Sequence, residues 1–244
     1  MSDSRYDKAM QFAAITSGQR GLDIHIASDL ARKILSGRLE VGDVLPSEVE
    51  LCGRFGVSRA ALREALKLLS SKGLLESRPK LGTRVRERSH WNLLDVQLLE
   101  WMEGIESTDG LYQQFLAFRQ TIEPQATRLA ALHASAEQRN ELSRLFREMS
   151  AICATQPFDL ARWLEADSAF HRVIFHSTDN CFFIPFGNLL ATIFRCFFTW
   201  PTSAHEIYLD EHRKIYEAIM MGDADAAHQA SAGLMLNSTR PATA

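Results

Sequence analysis

Three cations follow one edge of the segment GVSRAALREALKLLSSKGLLE, residues 56–76. Arg59, Arg63 and Lys67 recur at intervals of four, so a helix places them on one stripe. Leucines and alanines between them form an adjacent apolar stripe, as in a helix with one buried face. Because an arginine fork can bond two acceptors of a guanine edge, this pattern predicts contact with a DNA groove. The alternative is a solvated charged flank on an ordinary helical bundle.

A carboxylate and an imidazole lie four residues apart in the segment EADSAFHRVIFHSTDN. Asp167 and His171 therefore point to the same side of a predicted helix. Both side chains are ligands for divalent metals when further donors join them. His176 follows His171 by five residues and is expected to face elsewhere.

Three helices and a hairpin are predicted to position the cations. Apolar residues at helical spacing predict a helix over 24–35, which Gly37 ends. LPSEVELCGRFGV predicts a second helix, in which Ser47 and Glu50 fit a capping box, and Ser58 can cap the third helix. Short extended pieces around RPKLG predict a hairpin with a basic tip. Elements in this order predict a winged helix-turn-helix.

The rest of the chain is predicted to be an all-helical bundle. Helical patterns separated by Ser, Pro, Asn and Gly cover about 108–133, 136–154, 158–177, 181–200, 204–221 and 223–238. The fold class is therefore mainly α, a winged helix-turn-helix followed by a bundle of six to seven helices.

Four segments divide the predicted chain. They are a flexible tail over 1–21, a DNA-binding domain over 22–88, a linker over 89–107 and a helical effector-binding and dimerisation domain over 108–240. In the linker, the apolar residues between Trp91 and Trp101 can pack against either domain.

The composition agrees with a two-domain cytoplasmic protein. Of 244 residues, 46% are hydrophobic, enough for a sizeable core. Residues 21–90 carry 13 Lys and Arg against 9 Asp and Glu, whereas residues 91–244 carry 11 against 19. A basic N-terminal segment followed by an acidic C-terminal segment is typical of a nucleic-acid-binding domain fused to a domain that does not bind DNA. The four cysteines form no CxxC pair, which indicates reduced thiols, and no run is apolar enough for a membrane span.

Several motifs in one order resemble a known family. The stretch LPSEVELCGRFGVSRAALREALKLLSSKGLLESRPKLGTRV resembles the DNA-binding domain of the GntR family of bacterial transcription regulators. FRQTIEPQATRLAA, EADSAFHRVIFHSTDN and DEHRKIYEAIMMGDADAA resemble the ligand-binding (FCD) domain of its FadR-type subfamily. Within it, WNLLDVQLLEWM and LMLNSTR look most like the repressors of galactonate catabolism.

The candidate DNA-contacting residues are Ser58, Arg59, Arg63, Lys67, Lys80 and Gly82. The resemblance implies four of them, whereas Ser58 follows from its place at the helix start and Lys67 from the cationic stripe. Lys80 and Gly82 correspond to the family's minor-groove contacts at the wing tip. Members often carry arginine where this chain has Val49, which implies one fewer contact to the operator. The family also implies a homodimer on a near-palindromic operator.

The resemblance adds His212 to Asp167 and His171 as a candidate ligand of zinc or a similar divalent metal. Many members supply a third histidine where this chain has Leu234, and His228 is six residues earlier. Two alternatives stay open: a metal-free polar pocket and histidines with a structural role only.

An acidic effector pocket is also implied. Arg119 would face the cavity and clamp a sugar-acid carboxylate, whereas the alternative is an intrahelical pair with Glu123. Trp200 and Arg240 match regions near the effector in galactonate-type repressors, but the alternatives are that Trp200 only closes the core and that Arg240 is only a tail charge. The effector-binding candidates are therefore Arg119, Asp167, His171, Trp200, His212 and Arg240.

The expected function is a repressor that a small carboxylate or sugar acid releases from double-stranded operator DNA by allostery. A metal-dependent enzyme built on Asp167, His171 and His212 is the main alternative of another class, but no H-E-x-x-H motif, nucleophile elbow or phosphate loop accompanies these residues. A purely architectural DNA-binding protein would leave the acidic helical half without a role. The chain is therefore not expected to be an enzyme.

Overall fold

The structure is a computed structural model that describes residues 21–78, 81–105, 109–197 and 205–238. The chain divides into two units, Met1–Thr108 and Asp109–Ala244. Both are mainly helical, with ten α-helices and one two-stranded sheet among the described residues. This agrees with the predicted fold class.

The first unit holds the three predicted helices, the hairpin and one further short helix. Its elements are α1 (Leu22–Leu35), α2 (Glu48–Phe55), α3 (Arg59–Ser71), β1 (Leu75–Arg78), β2 (Gly82–Val85), a 3₁₀ turn (Arg88–His90) and α4 (Val96–Met102).

Serine caps begin α2 and α3. Ser47 Oγ accepts from the Glu50 backbone N–H at 3.3 Å, and Ser58 Oγ accepts from the Ala61 N–H at 3.2 Å. Only this half of the capping box predicted for α2 is seen, because the Glu50 carboxylate pairs with Arg54 at 2.7 Å. Between the two helices, Gly56 adopts the left-handed conformation (φ 68°), so the turn stays tight.

The apolar stripe of α3 packs onto α1 and α2, as predicted. Leu62, Ala65, Leu66 and Leu69 are all buried on α3, while Leu51 and Phe55 are buried on α2. Ile24, the first apolar residue of the predicted helix, is 43% exposed in the first turn of α1, whereas Ile26 is buried.

A third segment of the chain pairs with the wing hairpin, and the sequence pattern did not predict this pairing. β1 and β2 pair antiparallel from Leu75 opposite Val85 to Arg78 opposite Gly82. The segment before α2 joins this hairpin, since Leu45 N–H donates to Thr83 O at 2.7 Å. A single bridge of this kind has no periodicity from which to predict it.

The described part of the predicted linker is a folded extension of the first unit. Trp91 and Trp101 are both buried, and Trp91 Nε1 donates to Arg86 O at 3.0 Å. Lys72 Nζ pairs with Asp95 Oδ1 at 2.6 Å, which ties α4 to the end of α3. Gly73 (φ 77°) is required at this junction, because a Cβ there would lie 1.9 Å from the His90 carbonyl oxygen.

The second unit consists of six helices. They are α5 (Asp109–His133), α6 (Ala136–Cys153), α7 (Leu160–His176), α8 (Ile184–Phe197), α9 (His205–Met221) and α10 (Ala224–Ser238). Their described boundaries agree with the predicted segments to within three residues.

The largest side chains of the second unit fill its centre. Trp163, Phe170 and Phe175 of α7 are fully buried, and α10 packs against both α5 and α9. Arg139 links the ends of two helices by hydrogen bonds. Its guanidinium donates to Ala131 O of α5 at 2.9 Å and also to Ile219 O of α9. No helix in the described ranges is long and apolar enough to cross a membrane.

Candidate functional site

The cationic edge of α3 is exposed to solvent. Arg59, Arg63 and Lys67 are all exposed, while the leucine stripe beside them is buried. Arg63 Nε lies 2.9 Å from Glu48 Oε2, and Lys67 Nζ lies 2.8 Å from Glu64 Oε1. Exposed ion pairs are worth at most about 1 kcal/mol. Phosphates or base edges can therefore displace these carboxylates at little cost.

The start of α3 and the wing lie in the same unit as this edge. Ser58 is exposed and caps α3, leaving the helix N-terminus open to an anion. Gly82 is exposed at the start of β2 with φ 82°, a conformation that favours glycine. Lys80 lies outside the described residues. Val49, where the family resemblance implies one contact fewer, is 61% exposed on α2.

A buried cluster joins α7 and α9. Asp167, His171 and His212 are each less than 5% exposed. His212 Nε2 lies 2.7 Å from Asp167 Oδ1 and 3.2 Å from His171 Nε2, and His171 Nε2 lies 3.8 Å from Asp167 Oδ1. The three predicted metal ligands therefore present one atom each to a common point.

The outer nitrogens of both imidazoles are held by acceptors. His212 Nδ1 lies 2.6 Å from the Tyr208 carbonyl oxygen, which can only accept, so Nδ1 carries the proton. His171 Nδ1 lies 3.2 Å from the Glu123 carboxylate, which favours a proton there too. In the neutral rings, both Nε2 atoms then carry lone pairs that face Asp167 Oδ1. A proton shared between two of these atoms, or a metal ion among all three, would stabilise this arrangement.

The donor arrangement fits a divalent metal. Nitrogen and oxygen ligands bind Zn²⁺ at about 2.0–2.2 Å, which places neighbouring donor atoms roughly 3.0–3.5 Å apart. The three distances in the cluster bracket this range. Carboxylate and carbonyl partners on the outer ring nitrogens are also the usual support of metal-bound histidines.

Arg119 and Glu123 extend the cluster along α5. Both are buried, and the Arg119 Nε pairs with Glu123 Oε1. Arg119 thus makes the intrahelical pair that was the alternative, while its contact with an effector stays a prediction. Burial alone would raise the pKa of the Glu123 carboxyl, but the charges of Arg119 and His171 lower the pKa to about 2.

Asp167 is also ionised. Burial alone would raise its pKa, but the hydrogen bond and charge of His212, together with His171 and Arg119, lower the pKa below its ordinary value. The cluster therefore combines two buried carboxylates with one arginine and two imidazoles.

Aromatic rings surround the histidines. Trp163 meets the His212 ring edge-on at a centroid distance of 6.1 Å, and Phe170 contacts both imidazoles at 5.6 and 5.9 Å. These walls keep the polar groups in an apolar surrounding and so strengthen their electrostatic interactions.

Sequence reasoning missed several parts of this site. The sequence predicts Glu123 only as a partner of Arg119, one turn away on the same helix. Trp163 and Phe170 carried no signal beyond that of core residues, and the Tyr208 carbonyl is a backbone group.

Other candidate residues lie elsewhere. His228 contacts Gln125 on the surface at 3.3 Å, so it does not replace the third histidine, and Leu234 is buried. His176 contacts Asn188 Oδ1 at 2.9 Å on the exposed side, consistent with the expectation that it faces away. Trp200 and Arg240 lie outside the described residues.

Two family models match the chain, one in each unit. The description "Bacterial regulatory proteins, gntR family" matches residues 23–85, and the FCD domain matches residues 114–237. The chain belongs to the GntR family. GntR-family regulators bind operator DNA and small-molecule effectors, so this member is a DNA-binding transcription regulator and not an enzyme.

Two relatives from Escherichia coli K12 match this GntR-family chain over most of its length. The uncharacterized HTH-type transcriptional regulator YieP is 41% identical over 227 residues, covering 93% of this chain and 96% of YieP. The galactonate operon transcriptional repressor is 30% identical over 219 residues, covering 88% and 94% respectively. A putative L-lactate dehydrogenase operon regulatory protein of the same organism is also 30% identical, covering 86% of this chain and 82% of the relative.

Solved structures share the fold. Lar, which controls the expression of the Listeria monocytogenes agr system, matches with a TM-score of 0.60 at 18% identity, covering 91% of this chain and 96% of Lar. A GntR protein of Streptococcus agalactiae matches with a TM-score of 0.50 at 23% identity, covering 88% and 98%.

Proposed function

We propose that the protein is a cytoplasmic, homodimeric repressor of a sugar-acid catabolic operon, released from its operator by an acid of the galactonate class. The observation that carries the proposal is the convergence of His171 Nε2, His212 Nε2 and Asp167 Oδ1 in the interior, 2.7–3.8 Å apart. A divalent metal ion held at this point would attract an anionic effector.

The DNA-binding half of the proposal assigns roles along α3. Arg59 and Arg63 contact base edges and phosphates in a major groove, because their guanidinium groups are exposed and arginine bonds guanine bidentately. Lys67 and the capped N-terminus at Ser58 meet phosphates. Gly82 and Lys80 approach the minor groove from the wing.

The effector half assigns the cluster to a metal and an acid. Asp167, His171 and His212 would hold a divalent ion such as zinc. When bound, the ion would supply positive charge for a carboxylate. Arg119 has five donor N–H groups, so its guanidinium can serve Glu123 and an acid together. Trp200 and Arg240 remain candidates for contact with the rest of the effector.

Binding of the acid in the interior of α5, α7 and α9 would shift these helices and change the spacing of the two DNA-binding units of the dimer. A coupling free energy of about 1–3 kcal/mol changes operator affinity by 5- to 150-fold.

A mobility-shift experiment tests this function. The purified protein should retard DNA from upstream of its own gene, and galactonate should reverse the shift, with less effect after chelation. If no sugar acid reverses the retardation, the proposed effector class is wrong. If the DNA is not retarded, the proposal that the operator lies upstream of the gene is wrong.

A different carboxylic acid is the second candidate, since a relative equally distant in identity is named for an L-lactate dehydrogenase operon. Lactate in the same experiment distinguishes the two, because only the true effector should release the DNA at low concentration.

A further inference from the structure

Ser231 of α10 is a buried polar group that the proposed function does not yet use. Its side chain is 0% exposed, and its hydroxyl oxygen finds no hydrogen-bond partner among the described residues. A buried hydroxyl without a hydrogen bond lowers the free energy of unfolding, so its presence suggests a functional role.

The packing of α10 places Ser231 toward the cluster. Ala227, Ser231, Leu234 and Met235 are all buried and recur at the spacing of one helix face. Because α10 packs on α5 and α9, this face lies against the helices that carry Glu123 and His212.

Contacts between α5 and α10 fix the height of Ser231 along α5. Gln125 lies 3.3 Å from His228, and Arg128 lies 3.3 Å from Asp225, so the two helices run antiparallel in a defined register. Continuing this register places Ser231 within about one helical turn of Glu123.

The register of α10 against α9 places Ser231 at the height of His212. A Cβ on Gly233 would lie 3.5 Å from Glu211 Oε2, so residues 211 and 233 are neighbours. In antiparallel helices His212 is then level with residue 232, next to Ser231.

Glu123 carries a second polar atom with unused hydrogen-bonding capacity, at the same height along the helices as Ser231. Its Oε2 ion-pairs with His171 Nδ1 at 3.2 Å but makes no well-aligned hydrogen bond within the described part of the chain. A hydroxyl group of a ligand can donate a hydrogen bond to Glu123 Oε2 and accept one from the Ser231 hydroxyl.

We propose that Ser231 is a specificity-determining residue that hydrogen-bonds a hydroxyl group of the effector. The inference rests on the proposed function and deepens it: the carboxylate is held at the Asp167, His171 and His212 centre, and Ser231 selects acids that carry hydroxyl groups along the chain. Leu234 and Met235 beside it leave the hydroxyl as the polar feature of that wall.

The test is calorimetric titration of galactonate into the zinc-loaded full-length protein and two variants. Ser231→Ala should bind galactonate about 3- to 10-fold more weakly, the effect of one net hydrogen bond. Its zinc affinity and melting temperature should not fall, since the hydroxyl has no hydrogen-bond partner in the described part of the chain and is not one of the three proposed metal ligands.

Ser177→Ala is the matched control, because Ser177 is equally buried but donates to Val173 O at 2.7 Å. It should leave galactonate affinity unchanged. Equal galactonate affinity in Ser231→Ala and wild type would overturn the role of Ser231 while leaving the proposed repressor intact. A wild-type protein that fails to bind galactonate would overturn both the inference and the proposed effector, and operator retardation would still stand separately.

Discussion

The two units use the same pair of residue types in opposite ways. In the first unit, Arg63 and Glu48 form an ion pair in which the side chains are 62% and 40% exposed. In the second, Arg119 and Glu123 form one in which they are 3% and 1% exposed. Water can replace either partner of the first pair, but neither partner of the second. The comparison indicates that the exposed arginine is available to an external polyanion, whereas the buried one organises an interior site.

Breaking the buried pair should have the largest effect. Glu123→Ala leaves the Arg119 guanidinium in the interior without its carboxylate, and we expect the free energy of unfolding to fall by about 3–5 kcal/mol. Urea unfolding followed by circular dichroism measures this loss. Glu123→Gln, which keeps the shape, should lose less, and a loss below 1 kcal/mol in both variants would contradict a buried, functional ion pair.

Removing the exposed arginines should affect DNA and not stability. Arg59→Ala or Arg63→Ala should each weaken operator binding by about 1–3 kcal/mol per DNA-binding unit, enough to abolish specific binding by a dimer. Fluorescence anisotropy on operator and scrambled duplexes measures this loss. Wild-type operator affinity in both variants would remove α3 from its proposed role.

The smallest effect is expected from Glu48→Ala. This change frees Arg63 from its exposed partner and should alter the free energy of unfolding by less than about 1 kcal/mol. Operator affinity should stay equal or rise, because a competing carboxylate is gone. A large loss of stability would show that the exposed pair is not as replaceable as its exposure implies.

Elements with strong periodicity could be predicted from the sequence, and those that depend on tertiary contact could not. The leucine stripe of α3 and the Ser58 cap are local features, so their pattern was sufficient. The bridge of Val44 to Arg84 and the docking of Trp101 depend on residues far away along the chain.

The candidate site shows the same division. The i, i+4 spacing of Asp167 and His171 placed them on one helix face, and a family resemblance supplied His212. Contact of Glu123 with His171, across two helices, had no sequence signal of its own. Neither did Ser231, since a single serine in an apolar helix face is common and only its burial and missing partner make it notable.

The most direct test of the account is an operator titration of the wild-type protein and the His212→Ala variant, with and without galactonate. We predict that galactonate weakens operator binding of the wild type by 5- to 150-fold. The variant should bind the operator as tightly as the wild type and should not respond to the acid. Unchanged wild-type affinity in galactonate, or equal release of DNA by both proteins, would contradict the claim that the buried cluster controls the exposed edge.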